Sequence, residues 1–303
     1  MDKINTENIH NVLLMGHGGS GKTMLCESML YAAGHTSRIG KIEDGTTTSD
    51  YEAEEQKRQT SVQTSILPII WKDHKINLID TPGYADFRGE VISGLRVAES
   101  AIIVISAAAG IETGTIQMWN LASDYNLPKS IYISKMDREN IDAEALLSSI
   151  KSTFGRQCVP MQIPLSADGF SGTVNLLQSD GNSDIDPDQA EYMREELIEL
   201  VAETDDELAT KYLEGETLTN EELLSGLKTG IKTGTIIPVF MGSTQIDATA
   251  TEFLDSIISF FPNPLDETDI KAVKAGTTDS IEISPDSSSL AALIFKTSAD
   301  PFV

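Results

Sequence analysis

Basic side chains are scarce: 22 lysines and arginines stand against 47 aspartates and glutamates, a formal net charge of -25 over 303 residues. A surface of that sign repels phosphate backbones, which excludes broad electrostatic binding of DNA or RNA by this chain. Cysteine is sparser still, at 2 residues. Cys26 and Cys158 lack metal-ligand spacing, and His10, His17, His35 and His74 form no cluster with them, so reduced, non-catalytic thiols are expected. No run of eighteen apolar residues occurs, and the start, Met1-Asp-Lys-Ile-Asn-Thr, has neither an apolar core nor a small-residue cleavage site. A cytoplasmic protein with no membrane contact follows, and a monomer is expected.

What is present suffices for a sizeable core: 40% of residues are hydrophobic, and the length suits about two domains. The negative charge is uneven, since Asn182 to Leu224 holds 15 acidic and 2 basic residues. Such a stretch is either a solvated face or a docking patch for a basic partner.

Asn11 to Met15 reads as a buried strand, followed by a glycine-rich stretch and a helix with Leu25, Met29 and Ala32 on one side. Ser37 to Ser61 is rich in Gly, Thr, Ser and charge without periodicity, which predicts a functional or mobile loop. Val62 to Ile70 and Lys75 to Ile79 form a hairpin around Trp71-Lys-Asp-His74. Ala101 to Ile105 and Ser130 to Ile133 are further strands, with helices at Glu112 to Asp124 and Ala143 to Phe154. This alternation predicts an α/β fold, a mostly parallel sheet with helices on both faces and the hairpin as an antiparallel edge.

After Val159 the pattern changes to short strands around Met161 to Ile163 and Gly172 to Leu177. A loop at Ser179 to Asp184 leads into acidic helices over Pro187 to Ala209 and Asn220 to Thr229. Thr235 to Met241 then reads as a buried strand and Ala248 to Phe260 as a helix, with a linker at Phe261 to Leu265. The expected organisation is a domain over 1–158 and 235–262, interrupted by an inserted α+β subdomain over 159–234. A linker and the start of a second β domain, over 263–303, contain one strong strand, Leu290 to Lys296. A lone strand cannot bury its own face, so a further domain is expected beyond it.

Gly16-His-Gly-Gly-Ser-Gly-Lys-Thr23 matches GxxxxGK[ST] between a predicted strand and a predicted helix. That context lets backbone N–H groups at Gly16, Gly18, Gly19, Ser20 and Gly21 point at phosphate oxygens, with the helix N-terminus adding its positive end. Lys22 supplies a mobile cation and Thr23 a hydroxyl to Mg²⁺. His17 has no required part in the cradle; a packing or surface role competes with proton transfer. Asp80-Thr-Pro-Gly83 ends a strand, where an aspartate can hold Mg²⁺ and the Gly83 amide can sense a terminal phosphate; alone, it would be an ordinary Pro-Gly turn.

The segments GHGGSGKT, EDGTTTSD, WKDHKINLIDTPGYADF, SKMDREN and PVFMGS occur in the order seen in translational GTPases. The chain resembles elongation factor G, particularly its divergent elongation factor G-like relatives, nearly end to end; the likeness includes a G′-like insertion and the second-domain opening LAALIFKTSADPFV. The resemblance implies a P-loop G domain that binds GTP or GDP with Mg²⁺ and works on the ribosome. By it, Gly16 to Thr23, His17 included, form the phosphate loop, and Ser61 falls where a switch threonine joins Thr23 and Asp80 on the metal. Lys135 and Asp137 fall in the guanine motif NKxD, Asp137 accepting the N1 and N2 protons of guanine. The backbone around Ser243 and Thr244 approaches the guanine carbonyl.

Two departures from the family pattern carry expectations. Ser134 stands where NKxD has asparagine, and its shorter side chain is expected not to reproduce the tie between base loop and phosphate loop, weakening GTP binding. Tyr84 replaces the histidine that places the attacking water; phenols titrate at about 10, which makes a poor general base at neutral pH. Tyr84 either packs on a loop, leaving hydrolysis weak, or orients water through its hydroxyl when a partner closes the site. Lys22, Gly83 and Tyr84 are the expected catalytic residues. Arg58 either positions the switch or forms a surface ion pair. The reading is a ribosome-dependent GTPase; the rivals are a GTP-sensing binding protein with little turnover and a ribosomal protection factor.

Overall fold

The computed structural model describes residues 4–165, 169–178, 184–266, 270–274, 276–284 and 290–297. Its centre is a seven-stranded sheet of β1 (Ile9–Met15), β2 (Ser65–Trp71), β3 (His74–Asp80), β4 (Ser100–Ser106), β5 (Lys129–Ser134), β6 (Cys158–Pro160) and β9 (Ile237–Met241), in the order β2-β3-β1-β4-β5-β9-β6. Only β2 runs antiparallel, paired with β3 from Ser65 opposite Asp80 to Trp71 opposite His74. The α/β reading with an antiparallel edge hairpin therefore holds.

Burial follows position in the sheet. Every residue of β4 is buried, as a parallel strand covered on both faces requires. The edge strand β2 alternates buried and exposed residues, leaving Ile66 and Ile70 on the outside. Helices α1 (Lys22–Ala32) and α9 (Asp247–Phe260) pack together, while α3 (Arg88–Leu95) lies against β1 and α4 (Thr113–Asp124) against β4. Helix α5 (Ala143–Phe154) is capped by Asp142, which accepts from the Ala145 N–H at 2.9 Å.

Between β6 and β9 the chain forms a two-stranded ribbon, β7 (Gln162–Leu165) with β8 (Gly172–Asn175), then helices α6 (Pro187–Ala202), α7 (Asp206–Leu213) and α8 (Asn220–Thr233). One helix was expected from Pro187 to Ala209, but the chain breaks after Ala202. Asp205 adopts extended backbone there, and its carboxylate accepts from the N–H groups of Glu207 and Leu208, so a new helix starts. Part of the acidic surface is structural: Glu196 and Glu203 on this stretch pair with Lys151 and Arg156 near the end of α5, at 2.5 and 2.6 Å.

Other expectations need correction. The loop over Ser37 to Ser61 contains a short helix, α2 (Ala53–Arg58), started by a reciprocal capping box of Glu52 and Glu55. Its sequence, AEEQKR, has no apolar periodicity to reveal it. Residues 290–296 form no strand: Leu290 is 99% exposed, and among the described residues none pairs with this backbone as a sheet neighbour would. Lys296 instead donates its Nζ to the Thr64 carbonyl. A hairpin of β10 (Ile270–Val273) and β11 (Ser280–Ile283) lies within 263–303, where Leu290 to Lys296 was the one strand expected. Of the loop read over 179–184, all but Asp184 falls outside the described residues, as does 298–303. Among the described residues no helix is long and apolar enough to cross a membrane.

Candidate functional site

A cavity of about 610 Å³ opens at the carboxyl ends of β1, β3, β5 and β9, where open α/β sheets place their ligands. Gly18, Gly19, Gly21, Lys22, Thr23, Ser61, Gly83, Ser134, Lys135, Asp137 and Thr244 all line it. The chain thus brings together residues that lie more than 220 positions apart.

One end is the start of α1. Gly21 precedes that helix with φ 103°, a left-handed conformation that glycine adopts without steric cost, and no side chain caps the first turn. The orphan N–H groups of that turn therefore face the cavity with the positive end of the helix, an arrangement suited to an anion. Lys22 is buried, and its Nζ donates to the carbonyls of Gly16 and His17 at 3.2 and 3.0 Å. Burial lowers its pKa, opposed by the charge of Asp80.

Behind this end lies a polar cluster. Thr23 donates to Asp80 Oδ2 at 2.8 Å and sits 3.2 Å from the Ser61 hydroxyl, while Ser49 donates to the same carboxylate oxygen at 2.9 Å. Asp80 Oδ1 is buried with no protein partner, and so is Asp50 Oδ1. Burial raises the pKa of Asp80 against the pull of Lys22, and burial lifts Asp50 to about 6 despite a hydrogen bond with Ser61. Two hydroxyls beside buried carboxylate oxygens with free lone pairs form a donor set for a hard divalent cation.

The opposite end is built from the loops after β5 and β9. Asp137 accepts from the Ser243 hydroxyl at 2.5 Å, and that hydroxyl also accepts from the Gln245 N–H at 3.0 Å. One carboxylate edge is thereby fixed by its neighbour. Lys135 donates from Nζ to the Gly19 carbonyl at 2.7 Å, so its stem crosses the cavity towards the glycine loop.

Ser134 overturns the expectation drawn from its length. Its hydroxyl donates to the Ser20 carbonyl at 2.5 Å, with the Ile105 carbonyl at 3.3 Å. The two loops are joined after all, because Gly21 has no side chain to hold them apart: a Cβ there would lie 3.1 Å from the Ser134 hydroxyl. A short side chain spans the gap because the gap is short.

Several expected residues lie around the cavity without lining it. Gly16 and Ser20 shape the loop from behind, Asp80 sits beneath Thr23, and Ser243 stands behind Asp137. His17 turns away altogether: its Nε2 lies 3.4 Å from Glu112 and its ring rests on Gly114, at the start of α4. Tyr84, 49% exposed, lays the outer edge of its ring on Gly18. Arg58 makes a surface pair with Glu54.

Sequence reasoning missed the carboxylates that hold the long loop in place. Buried Glu27 accepts from the N–H groups of Gly40 and Thr48, at 2.8 and 2.5 Å. Buried Glu55 accepts from Val62 and Gln63 at 2.9 and 3.0 Å. Glu27 had one signal, a charged residue between Cys26 and Met29 on the apolar side of a helix.

Comparison with known proteins agrees with this architecture. A family model described as the elongation factor Tu GTP binding domain matches residues 7–263. The chain is also similar to a protein of Thermus thermophilus known from its crystal structure, with 33% sequence identity and a TM-score of 0.82. The match covers 88% of this chain and 42% of that one, so this chain spans less than half the length of that relative.

Proposed function

Because this chain belongs to the family of the elongation factor Tu GTP-binding domain, we propose that it is part of a translation factor resembling elongation factor G, which binds GTP and hydrolyses it on the ribosome in the cytoplasm. The observation that carries this reading is a single cavity with the uncapped start of α1 and Lys22 at one end and the Ser243-braced Asp137 at the other. The first end suits phosphates; the second suits a purine with two adjacent N–H donors. Guanine has that pair and adenine does not.

In this reading the backbone amides from Gly18 to Thr23 and the Lys22 ammonium hold the β- and γ-phosphates. Lys22 exchanges its bonds to Gly16 and His17 for phosphate oxygens. Lys135 covers the base with its stem, and the backbone at Ser243 and Thr244 meets the guanine carbonyl. Thr23, Ser61 and Asp80 fit Mg²⁺: two hydroxyls lie beside a carboxylate whose second oxygen is buried without a hydrogen-bond partner. When bound, Mg²⁺ offsets charge on the phosphate oxygens. In-line attack of water on the γ-phosphorus breaks its bond to the β–γ bridging oxygen, releasing GDP and phosphate, and Lys22 and the Gly83 amide would stabilise the charge that develops. Residues 1–158 and 235–262 act as the G domain, 159–234 as its inserted subdomain, and 263–303 as a linker and the start of a second β domain.

A second reading, a GTP-sensing protein with little turnover, is favoured by Tyr84, whose ring rests on Gly18 and does not line the cavity. The deciding experiment measures affinity and turnover for GTP, GDP and ATP with the full-length protein, with and without ribosomes. Guanine preference with ribosome-stimulated phosphate release supports the translation factor. GTP-dependent partner binding without release supports the sensor, and absence of nucleotide binding removes both.

A further inference from the structure

Gly83 and Tyr84 are consecutive, and each is fitted against the glycine loop. A Cβ on Gly83 would lie 2.6 Å from both the Gly18 nitrogen and the Lys22 Nζ. Less than a methyl group of free space therefore separates this turn from the amide and ammonium that would receive a terminal phosphate. A Cβ on Gly18 would lie 2.9 Å from Tyr84 Cζ and 3.0 to 3.2 Å from the two Cε atoms. The ring edge occupies the place any larger residue at position 18 would need. Gly18 does not have a positive φ, so its backbone does not require glycine; the ring does.

We propose that Tyr84 on Gly18 is a latch that determines discrimination between GTP and GDP, holding Gly83 over the γ-phosphate position and leaving the rest of the cavity open. The proposal rests on the nucleotide reading above and adds to it a residue pair with a defined task. GDP enters with the latch shut, because the base end and the start of α1 already line open space. GTP must move Gly83, and therefore Tyr84, before its third phosphate reaches Lys22. Breaking the ring contact is a cost that only the triphosphate bears. Any interaction that lifts Tyr84 off Gly18 favours the GTP state selectively.

The ring is half exposed, so it can swing outward without unfolding its surroundings. The test measures dissociation constants for a non-hydrolysable GTP analogue and for GDP, by calorimetry with Mg²⁺, on the intact chain. Y84A removes the ring, and G18A pushes it aside by adding the Cβ that would meet it. Each is expected to improve the affinity ratio for the GTP analogue over GDP by about fivefold. Y84F retains the ring edge and keeps the native ratio, whatever its effect on turnover. In G18A/Y84A the gain equals that of Y84A alone, because both changes release the same contact. An unchanged ratio in Y84A, a ratio raised in Y84F as much as in Y84A, or additive gains in the double variant would each overturn the latch while leaving nucleotide binding intact. Failure of the native chain to bind either nucleotide overturns the latch and the functional reading together.

Discussion

Ser134→Ala tests how the two ends of the cavity are held in register. The native hydroxyl has one proton, and the 2.5 Å contact with the Ser20 carbonyl claims it over the 3.3 Å contact with Ile105. Ser134 and Ser20 are buried, so the variant leaves a carbonyl without its donor, at a cost of about 1 to 3 kcal/mol. The parallel tie from Lys135 to Gly19 uses an exposed ammonium and compensates little. Because the bond joins two buried parts of the chain itself, most of the loss appears as stability, a fall of a few degrees in Tm. The remainder appears as poorer preorganisation of the cavity. GTP and GDP, which share the base and two phosphates, weaken together by about three- to tenfold. Ser134→Asn, which the expectation from sequence would have made a gain, changes GTP affinity by less than about threefold, since serine already makes the tie. Thermal unfolding and calorimetry on the three proteins decide the matter. Native Tm and affinity in Ser134→Ala, or GTP binding tightened tenfold in Ser134→Asn, would refute the reasoning.

Glu27→Ala frees the N–H groups of Gly40 and Thr48, so their amide exchange accelerates by at least about tenfold and stability falls by about 2 kcal/mol; native exchange at both amides would contradict this. Burial lowers the pKa of His10 below 6.5 where its ring meets the Pro262 carbonyl and His74. The unfolded chain then takes up the proton first, so this contribution to stability is present above about 6.5 and lost on acidification, and His10→Gln flattens the slope of urea-unfolding free energy below that pH. Asp50 acts in the opposite sense. With its folded pKa raised to about 6, the native state holds the proton more tightly, and stability falls as pH rises from about 4 through 6. Asp50→Asn therefore gains stability at pH 7 relative to the native chain and little at pH 4; a loss at pH 7 would contradict the burial argument.

The sheet was legible because its strands are long apolar runs separated by helices of clear period. β4, SAIIVIS, is buried at all seven positions and can be read as nothing else. Elements without that contrast escaped. The strand β6 has three residues and no room for a pattern, and the break between α6 and α7 depends on one aspartate accepting from two amides in a stretch where acidic residues are common. Leu290 to Lys296 shows the converse: a good strand composition is not enough, and among the described residues no strand lies beside it. At the site, the motifs located the cavity, whereas the carboxylates of Glu27, Asp50 and Glu55 depend on where a loop without periodicity folds back.

Ser134, Gly21, Gly18 and Tyr84 also show why departures from a motif cannot be interpreted one position at a time. A serine in place of an amide looks like a lost bond until Gly21 is seen to admit close approach, and a tyrosine in place of a histidine brings a packing contact on Gly18 that the substitution alone does not reveal. In both cases the side chain in one loop meets a glycine in the facing loop, and the contact depends on both residues. Restoring the family residue at one member of a pair should therefore not restore the family's behaviour. Tyr84→His alone leaves the space beside Gly18 unfilled. The imidazole then has no wall to hold it over the cavity, and single-turnover hydrolysis is expected to rise by less than about tenfold, far short of the about 10² or more that a positioned proton-transfer group contributes. A hundredfold rise from this single change would mean that Gly18 and Tyr84 are independent, and the pairing argument would fail with it.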